Sequence, residues 1–578
     1  MVLTLSLGAL RAVYADSATW RSTPASGDWN TATNWMPRTI PNGTDDIATF
    51  GVSNVTDVTQ SMTTTLGGIQ FEPGASSYNI DVRAPNTFSL NDAGVTNDSG
   101  VTQSISCTTS NLDFYNQSGA GENVIYTNAT TDGFMLSVIT FHDDATAGSA
   151  TFTNNGMPPY GSGQIVFRNS ASAGSSNITV NGVSGSGGLG AAYFYDDSTA
   201  AESTITLDLA ANGYFVSQAT AANSTLTCSF SILYFADNAT AGSATIACSD
   251  GSIVYFTGDS TAGAATITSS GSTGYFQDFA TAGAATITWS DGSTVFFDDH
   301  ATAGAATFTA DGSTLHFKAQ SDGGTARIVL TNAGTLIVGD KPLAFNLGSL
   351  EGDGTATATI NRVALIGDNN LDATFSGTLE STVEGDWLTK LGTGTWTLAG
   401  TGSYPGSTTV TAGALLVTSA STPTGSGPVN VNAGTLGGSG TIAGSVTIGT
   451  GSGTGAFLAP AYGGNKQLTL TIQGSLTFNS DSTYTYTFKA KGSRSKIDKV
   501  IANGVTINSG ASFNLSGTAQ GQLTQGMVLT VIKNTAATPI AGTFANLPDG
   551  GIVTVNGNNF QANYEGGDGN DLTLTVVP

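Results

Sequence analysis

A phenylalanine returns along the middle of this chain at a nearly fixed interval. It stands at Phe141, Phe167, Phe194, Phe215, Phe235, Phe256, Phe276, Phe297 and Phe317, with steps of 26, 27 and then 20 or 21 residues. Five residues after each comes a TAG-like phrase, beginning at Thr146, Ser172, Thr199, Thr220, Thr240, Thr261, Thr281, Thr302 and Asp322. Six residues further on comes an apolar residue: Phe152, Ile178, Ile205, Leu226, Ile246, Ile267, Ile287, Phe308 and Ile328. A weaker copy starts at Phe114, with Gly121 and Ile125. A period near 20 residues is the signature of a solenoid, in which each turn of chain stacks on its neighbour.

Within each unit the spacing is that of strands. Around Ala285, Ile287 and Trp289 the intervening residues are Thr and Ser, which suit an exposed pleat. The Gly and β-branched content penalises helices. One unit per coil stacks successive phenylalanines at about 4.8 Å, so ten coils extend roughly 50 Å. The slot nine residues after each Phe, from Ala150 to Ala326, holds only Ala or Ser, which lets the opposing wall pack closely. The longer units, between residues 153 and 193, carry Gly/Ser/Asn-rich insertions that read as loops at one edge.

The rest of the chain narrows the function classes. Against 41 acidic residues there are 17 Lys and Arg, a net charge of −24. Between residues 84 and 317 there are 19 acidic residues and one basic one, Arg168. Such a surface repels nucleic acid and anionic membranes. No apolar run is long enough to cross a bilayer as a helix. Cys107, Cys228 and Cys248 make no disulfide framework; Cys228 and Cys248 share a slot in adjacent coils and read as a buried thiol pair filling space. The opening MVLTLSLGALRAVYA, an apolar run closed by small residues, reads as a secretory signal at residues 1–15 without a basic n-region.

From Leu347 onward the repetition changes character. The segments GSLEGDGTATATI, DATFSGTLE, LTKLGTGTWTLAGTGSYPGSTTVTAGALLV and VNVNAGTLGGSGTIAGSVTI resemble the autotransporter-associated β-strand repeat of secreted bacterial passenger proteins. The resemblance is most specific over Leu388–Val417, where Lys390, Gly392, Gly394, Leu398, Gly400, Tyr404, Gly406 and Gly413 fall on the pattern. The segments SLTFNSDSTYTYTF and DKVIANGVTINSGASFNLSG are similar to the passenger region that precedes a translocator, and WRSTPASGDWNTATNWMPRTIPNGTDDIATF is similar to passenger openings. The resemblance implies a right-handed, single-stranded parallel β-helix on the surface of a Gram-negative bacterium. No translocator barrel follows in the sequence; the chain closes on DLTLTVVP, where some relatives begin a sorting tail.

Several groups could carry chemistry. Acidic residues follow the Phe in successive coils, among them Asp259, Asp278, Asp298 and Asp299. Stacked carboxylates could hold Ca²⁺ through oxygen ligands, or Asp and Asn could form the turn by bonding to their own backbone; the turn reading is favoured. GGDGNDLTL, with Asp568 and Asp571, looks like one calcium nonapeptide, but a single copy cannot form a roll, and a hairpin turn is the better reading. His142, His300 and His316 occupy three different positions of the unit and make no metal cluster. Lys489, Lys491, Arg494, Lys496 and Lys499 crowd together as a solvated loop, or as a grip on acidic chain or anionic polysaccharide.

The expectation is an all-β protein, a β-solenoid of about 20–21 residues per coil in its central array. It comprises a signal segment at 1–15, an N-terminal capping region with the first coils at 16–110, the regular array at 111–345, autotransporter-associated repeats at 346–480 and a passenger-like C-terminal cap at 481–578. The function read from it is a secreted, non-catalytic surface stalk, adhesin, or matrix or filament component. It needs no cofactor, with calcium as the one candidate ion. Its partners would be other copies stacked end to end, or an extracellular surface or glycan. The alternative is a carbohydrate-active β-helix enzyme of the glycosidase type, using paired carboxylates on an extracellular polysaccharide.

Overall fold

Alternating apolar and hydroxyl side chains give each short segment one face to bury, and the period lets every coil bury it on the next. The computed structural model describes residues 16–131, 133–183, 189–339, 344–453, 455–464 and 466–578; the signal segment expected at 1–15 lies outside them. Among the described residues there is no α-helix, and the strands form a parallel β-solenoid. The chain divides at Tyr275/Phe276 into two units, each described here by itself.

In the first unit, Ala18–Trp20 pairs antiparallel with Trp35–Met36 and parallel with Ile47–Phe50, after which the coils run parallel. Trp20, Trp29 and Trp35 are buried and pack edge to face, Trp35 against Trp20 and Trp29 at 5.0 and 4.9 Å, with Trp29 also against Phe50 and Phe88. One column of strands, such as Ala191–Phe194, Asn212–Phe215 and Ile232–Phe235, ends on the periodic phenylalanine. Strand register puts Phe141, Phe167, Phe194, Phe215, Phe235 and Phe256 directly opposite one another. Their rings are nearly parallel, with centroids 4.6–4.9 Å apart and interplanar angles of 4–12°. That separation exceeds face-to-face contact distance, so the rings are offset, the arrangement their quadrupoles favour. A second column aligns Phe152, Ile178, Ile205, Leu226, Ile246 and Ile267. The copy starting at Phe114 needs a correction: Tyr126, not Ile125, lies opposite Phe152 and is buried, while Ile125 is 40% exposed. This coil carries one extra residue between its corner and its second strand.

The repeated TAG phrase is a corner. The Thr or Ser hydroxyl accepts the backbone N–H two residues on, at 2.9–3.0 Å, in every coil from Thr146 to Thr261. The next residue is a fully buried alanine, as at Ala147 and Ala241. The third residue adopts positive φ, 58–61° at Gly148, Gly174, Gly242 and Gly263, a region that glycine enters without steric cost. Ala201 and Ala222 accept the same conformation at 49° and 50°.

In the second unit, Phe276, Phe297 and Phe317 stack at 4.6 and 4.7 Å. The ladder position then passes from Phe317 to Val338 and Ile360. A new column begins with Phe345–Leu347 and continues through Ala364–Ile366, Asp386–Lys390 and Ser407–Val410. The stretch Leu388–Val417 closes one coil on itself, because Thr395–Leu398 pairs with Ala414–Val417 while Asp386–Lys390 pairs with Ser407–Val410. The unit ends in antiparallel strands, Val528–Asn534, Ile552–Val555, Asn558–Gly566 and Asp571–Val577.

Two buried cations hold this region from inside. Arg362 is 2% exposed and donates to the carbonyls of Gly339, Ser321 and Ala319 at 2.8–2.9 Å. Lys390 is 1% exposed; its Nζ donates to the carbonyls of Leu391 and, at 3.0 Å, Gly392. Burial pushes the Lys390 ammonium down to about 8. A lysine whose folded value lies below its unfolded one costs stability while charged in both states, and loses that cost as the folded form deprotonates first. The difference in unfolding free energy, wild type minus Lys390→Met, is therefore expected to rise from pH 8 toward 10.5. Denaturant melts across that window check it, and a flat difference would contradict the assignment.

Candidate binding surfaces

From Tyr193 onward the residue before each ladder phenylalanine is partly exposed; Thr140 and Val166, at the same slot in the two earlier coils, are buried. In the first unit that position holds Tyr193, Tyr214, Tyr234 and Tyr255, followed by Tyr275. These half-buried rings form a row across neighbouring coils, with successive centroids 5.0, 6.1, 5.4 and 5.0 Å apart. Tyr195 stacks beside Tyr193 at 5.7 Å, and the Arg168 guanidinium lies 4.9 Å over the Tyr195 ring. Burial, followed by the neighbouring phenols Tyr214 and Tyr195, pushes the Tyr193 hydroxyl up to about 12; burial raises Tyr214 and Tyr255 as well. The row presents rings and hydroxyls: Tyr193 and Tyr214 are nearly parallel at 6° and Tyr255 and Tyr275 at 10°, while Tyr234 is turned by 54° and 50° against its two neighbours. The signal for this row, an aromatic at one fixed slot, was present in the sequence beside the more regular Phe.

The acidic turn residues occupy another edge. Asp143, Asp196, Asp237, Asp278 and Asp299 all have φ between 52° and 58°, a left-handed conformation that Asp and Asn tolerate better than other side-chain-bearing residues. Within the first unit, carboxylates of Asp143, Asp196 and Asp237 accept the backbone N–H of Asn116, Asn169 and Ser217 one coil earlier, at 3.0–3.2 Å. In the second unit Asp299 accepts the Asp278 N–H at 3.4 Å, and Asp298 accepts the Asp299 N–H at 2.8 Å. Asp259 is exposed at the equivalent turn. Asp568 lies in the exposed turn of the hairpin that joins Asn558–Gly566 to Asp571–Val577, and Asp571 is buried with Oδ1 accepting the Asn534 N–H. Among the described residues no group of three or more His, Cys, Asp or Glu is placed to hold a metal ion.

The remaining candidates are dispersed. Cys228 and Cys248 lie opposite each other in adjacent strands, buried and reduced; contact with Cys248 and burial raise the Cys228 thiol. His142 stacks on Tyr115 at 4.4 Å and His300 on Phe279 at 5.0 Å, while His316 lies beside Phe296. The basic cluster is an antiparallel hairpin in which Lys489 faces Lys496 and Lys491 faces Arg494, like charges directly across the pair. All four side chains are exposed. Lys499 stands apart on the following strand, Lys499–Ala502.

A groove in the second unit was not read from sequence. Two adjoining hollows of about 410 and 480 Å³ share Tyr462 and Gly463 on the segment 459–464. That segment is fastened to the strand Gly434–Gly438 by Ala459 N–H donating to Leu436 at 2.8 Å and Gly438 N–H donating to Pro460 at 2.9 Å. The first hollow is lined by Phe457, Ala459, Thr435, Thr485, Thr487 and Asp498, the second by Glu351, Asp372, Thr374, Thr395, Thr397 and Leu416. Glu351 is held bidentately by Arg327 at 2.6 and 2.8 Å, and Asp372 accepts the Thr395 N–H at 2.7 Å. Asp498 is fully buried, accepts the N–H groups of Leu468 and Thr487 and the Thr487 hydroxyl, and is raised by burial.

Comparison with known proteins locates one stretch of the chain in a family. The family model described as passenger-associated-transport-repeat matches residues 388–417, the coil built by Lys390, Gly400 and Tyr404. No curated protein sequence matches the chain. Among solved structures, the chain is similar to the Haemophilus influenzae Hap adhesin at 10% identity and a TM-score of 0.29, covering 92% of this chain and 64% of that one. The chain is thus an all-β parallel solenoid in which one coil matches the passenger-associated transport repeat.

Proposed function

We propose that this protein is a secreted passenger displayed at the surface of a Gram-negative cell, where it serves as a stalk or adhesin without catalysing a reaction. The matched repeat supports surface display. The observation that carries the adhesive reading is the tyrosine row: a strip of partly exposed phenol rings on a stacked sheet offers large contact area at low entropy cost. The carboxylates beside it are engaged in turns that hold coil to coil. Partners would be an extracellular surface or glycan, with end-to-end contact between copies as a further mode.

Purified chain applied to mucin, fibronectin and laminin coatings tests this. The parent is expected to be retained on at least one coating, and the triple variant Tyr214→Ser/Tyr234→Ser/Tyr255→Ser to lose at least tenfold while keeping its melting temperature within a few degrees. Retention on none, or equal retention of the variant, overturns the adhesive reading.

One observation favours a second reading, a glycosidase: Glu351 and Asp372 line the same groove. New reducing ends released from a polysaccharide, and lost in Glu351→Gln or Asp372→Asn, would establish it.

A further inference from the structure

We infer that the groove beneath segment 459–464 is a binding site for a neutral glycan chain. Its walls and floor have the chemistry that sugars need and other polymers do not. Phe457 and Tyr462 are 38% and 44% exposed at the first hollow, and Tyr462 also borders the second. Exposed rings at a concave site can cover the apolar C–H faces of pyranose rings, while the floor orients a ligand through a few polar groups.

Those polar groups are hydroxyls and carboxylates. Thr374, Thr395 and Thr397 line one hollow, and Thr435, Thr485 and Thr487 the other. A threonine hydroxyl both donates and accepts, matching the hydroxyls of a sugar, whereas a carboxylate only accepts. Glu351 and Asp372 supply strong acceptors, and they are already oriented by Arg327 and the Thr395 N–H. Asp498 is a buried positioning residue: its carboxylate accepts the hydrogen bond that the Thr487 hydroxyl donates, so the Thr487 oxygen is left to accept.

Charge selects among glycans. Glu351 and Asp372 face the groove, and the cation nearest to Glu351, Arg327, is paired with it. A uronic acid or sulfated chain would bring negative charge against these carboxylates, while a neutral chain meets no such cost. An apolar peptide would leave unused the threonine hydroxyls and the remaining acceptor capacity of the carboxylates, which a sugar can engage. The groove lies wholly in the second unit and the inference is independent of the tyrosine row.

The test uses the full chain and a panel of neutral hexasaccharides, glucose-, mannose- and galactose-based, beside polygalacturonate, with affinity read by calorimetry. At least one neutral hexasaccharide is expected to bind. Tyr462→Ala and Phe457→Ala should each weaken it at least tenfold with an unchanged melting temperature, and Asp372→Asn should weaken it severalfold. Tyr234→Ser should leave it unchanged, which separates this site from the adhesive strip. The inference falls if no neutral hexasaccharide binds, if polygalacturonate binds as tightly, or if Tyr462→Ala and Phe457→Ala leave affinity intact.

Discussion

Replacing Phe235 by alanine is expected to lower the unfolding free energy by about 3–5 kcal/mol, the range for emptying a packed aromatic site. Phe235 has no exposed surface and lies 4.8 Å from Phe215 on one side and 4.8 Å from Phe256 on the other. Alanine removes both stacks at once. The walls cannot close over the hole, because strand register fixes the neighbouring rings at coil spacing. Phe235→Leu refills much of the volume and should cost about 1–1.5 kcal/mol. Tyr234, one residue earlier and pointing outward, should cost about 1 kcal/mol or less as alanine, since it gives up cross-strand contact but opens no cavity. Urea melts of the three variants rank them. A Phe235→Ala loss no larger than that of Tyr234→Ala would mean that the ladder is not the core of its unit.

The ordering Phe235 over Tyr234 also explains what the sequence could convey. A buried slot accepts one kind of side chain in every coil, so nine phenylalanines made the solenoid legible. The slot before it is less uniform: Thr140 and Val166, before Phe141 and Phe167, are buried, and the partly exposed tyrosines begin only at Tyr193. The tyrosine row therefore covers only part of the array and carries a weaker signal. The Asp, Asn or Gly two residues after most of the phenylalanines was legible as a turn because positive φ favours those residues, although Ser217 and Ala319 hold the same conformation after Phe215 and Phe317. Ile125 misled because fixed spacing assumes equal coils, whereas burial placed Tyr126 opposite Phe152. The groove had no linear signature at all. Segment 459–464 reads as a Gly/Pro-rich connection, and only its docking onto Gly434–Gly438 brings threonines from several strands into one floor. Arg362 was similarly hidden, since nothing local says that its guanidinium will find carbonyls belonging to other turns.

The glycine pattern of the matched repeat supplies the second large effect. Gly413→Ala is expected to cost about 3 kcal/mol or more, because two separate demands meet there. Its φ is 62°, in the left-handed region. A Cβ at Gly413 would also lie 2.4 Å from the Gly394 carbonyl oxygen and 2.6 Å from that of Gly392, backbone atoms of the preceding coil. Neither oxygen can retreat freely, since the Gly394 carbonyl accepts the Ala414 N–H at 3.3 Å and the strand pairing of Thr395–Leu398 with Ala414–Val417 begins beside it. Gly385 separates the two demands: its φ is 77°, yet a Cβ there meets nothing within 4 Å. Gly385→Ala should therefore cost only the left-handed backbone term, about 1–2 kcal/mol. If denaturant melts give a clear excess for Gly413→Ala, the repeat's glycines set how closely one coil approaches the next. Equal losses at the two positions would instead confine their role to turn conformation, and the spacing of these coils would have to come from the side chains packed between them.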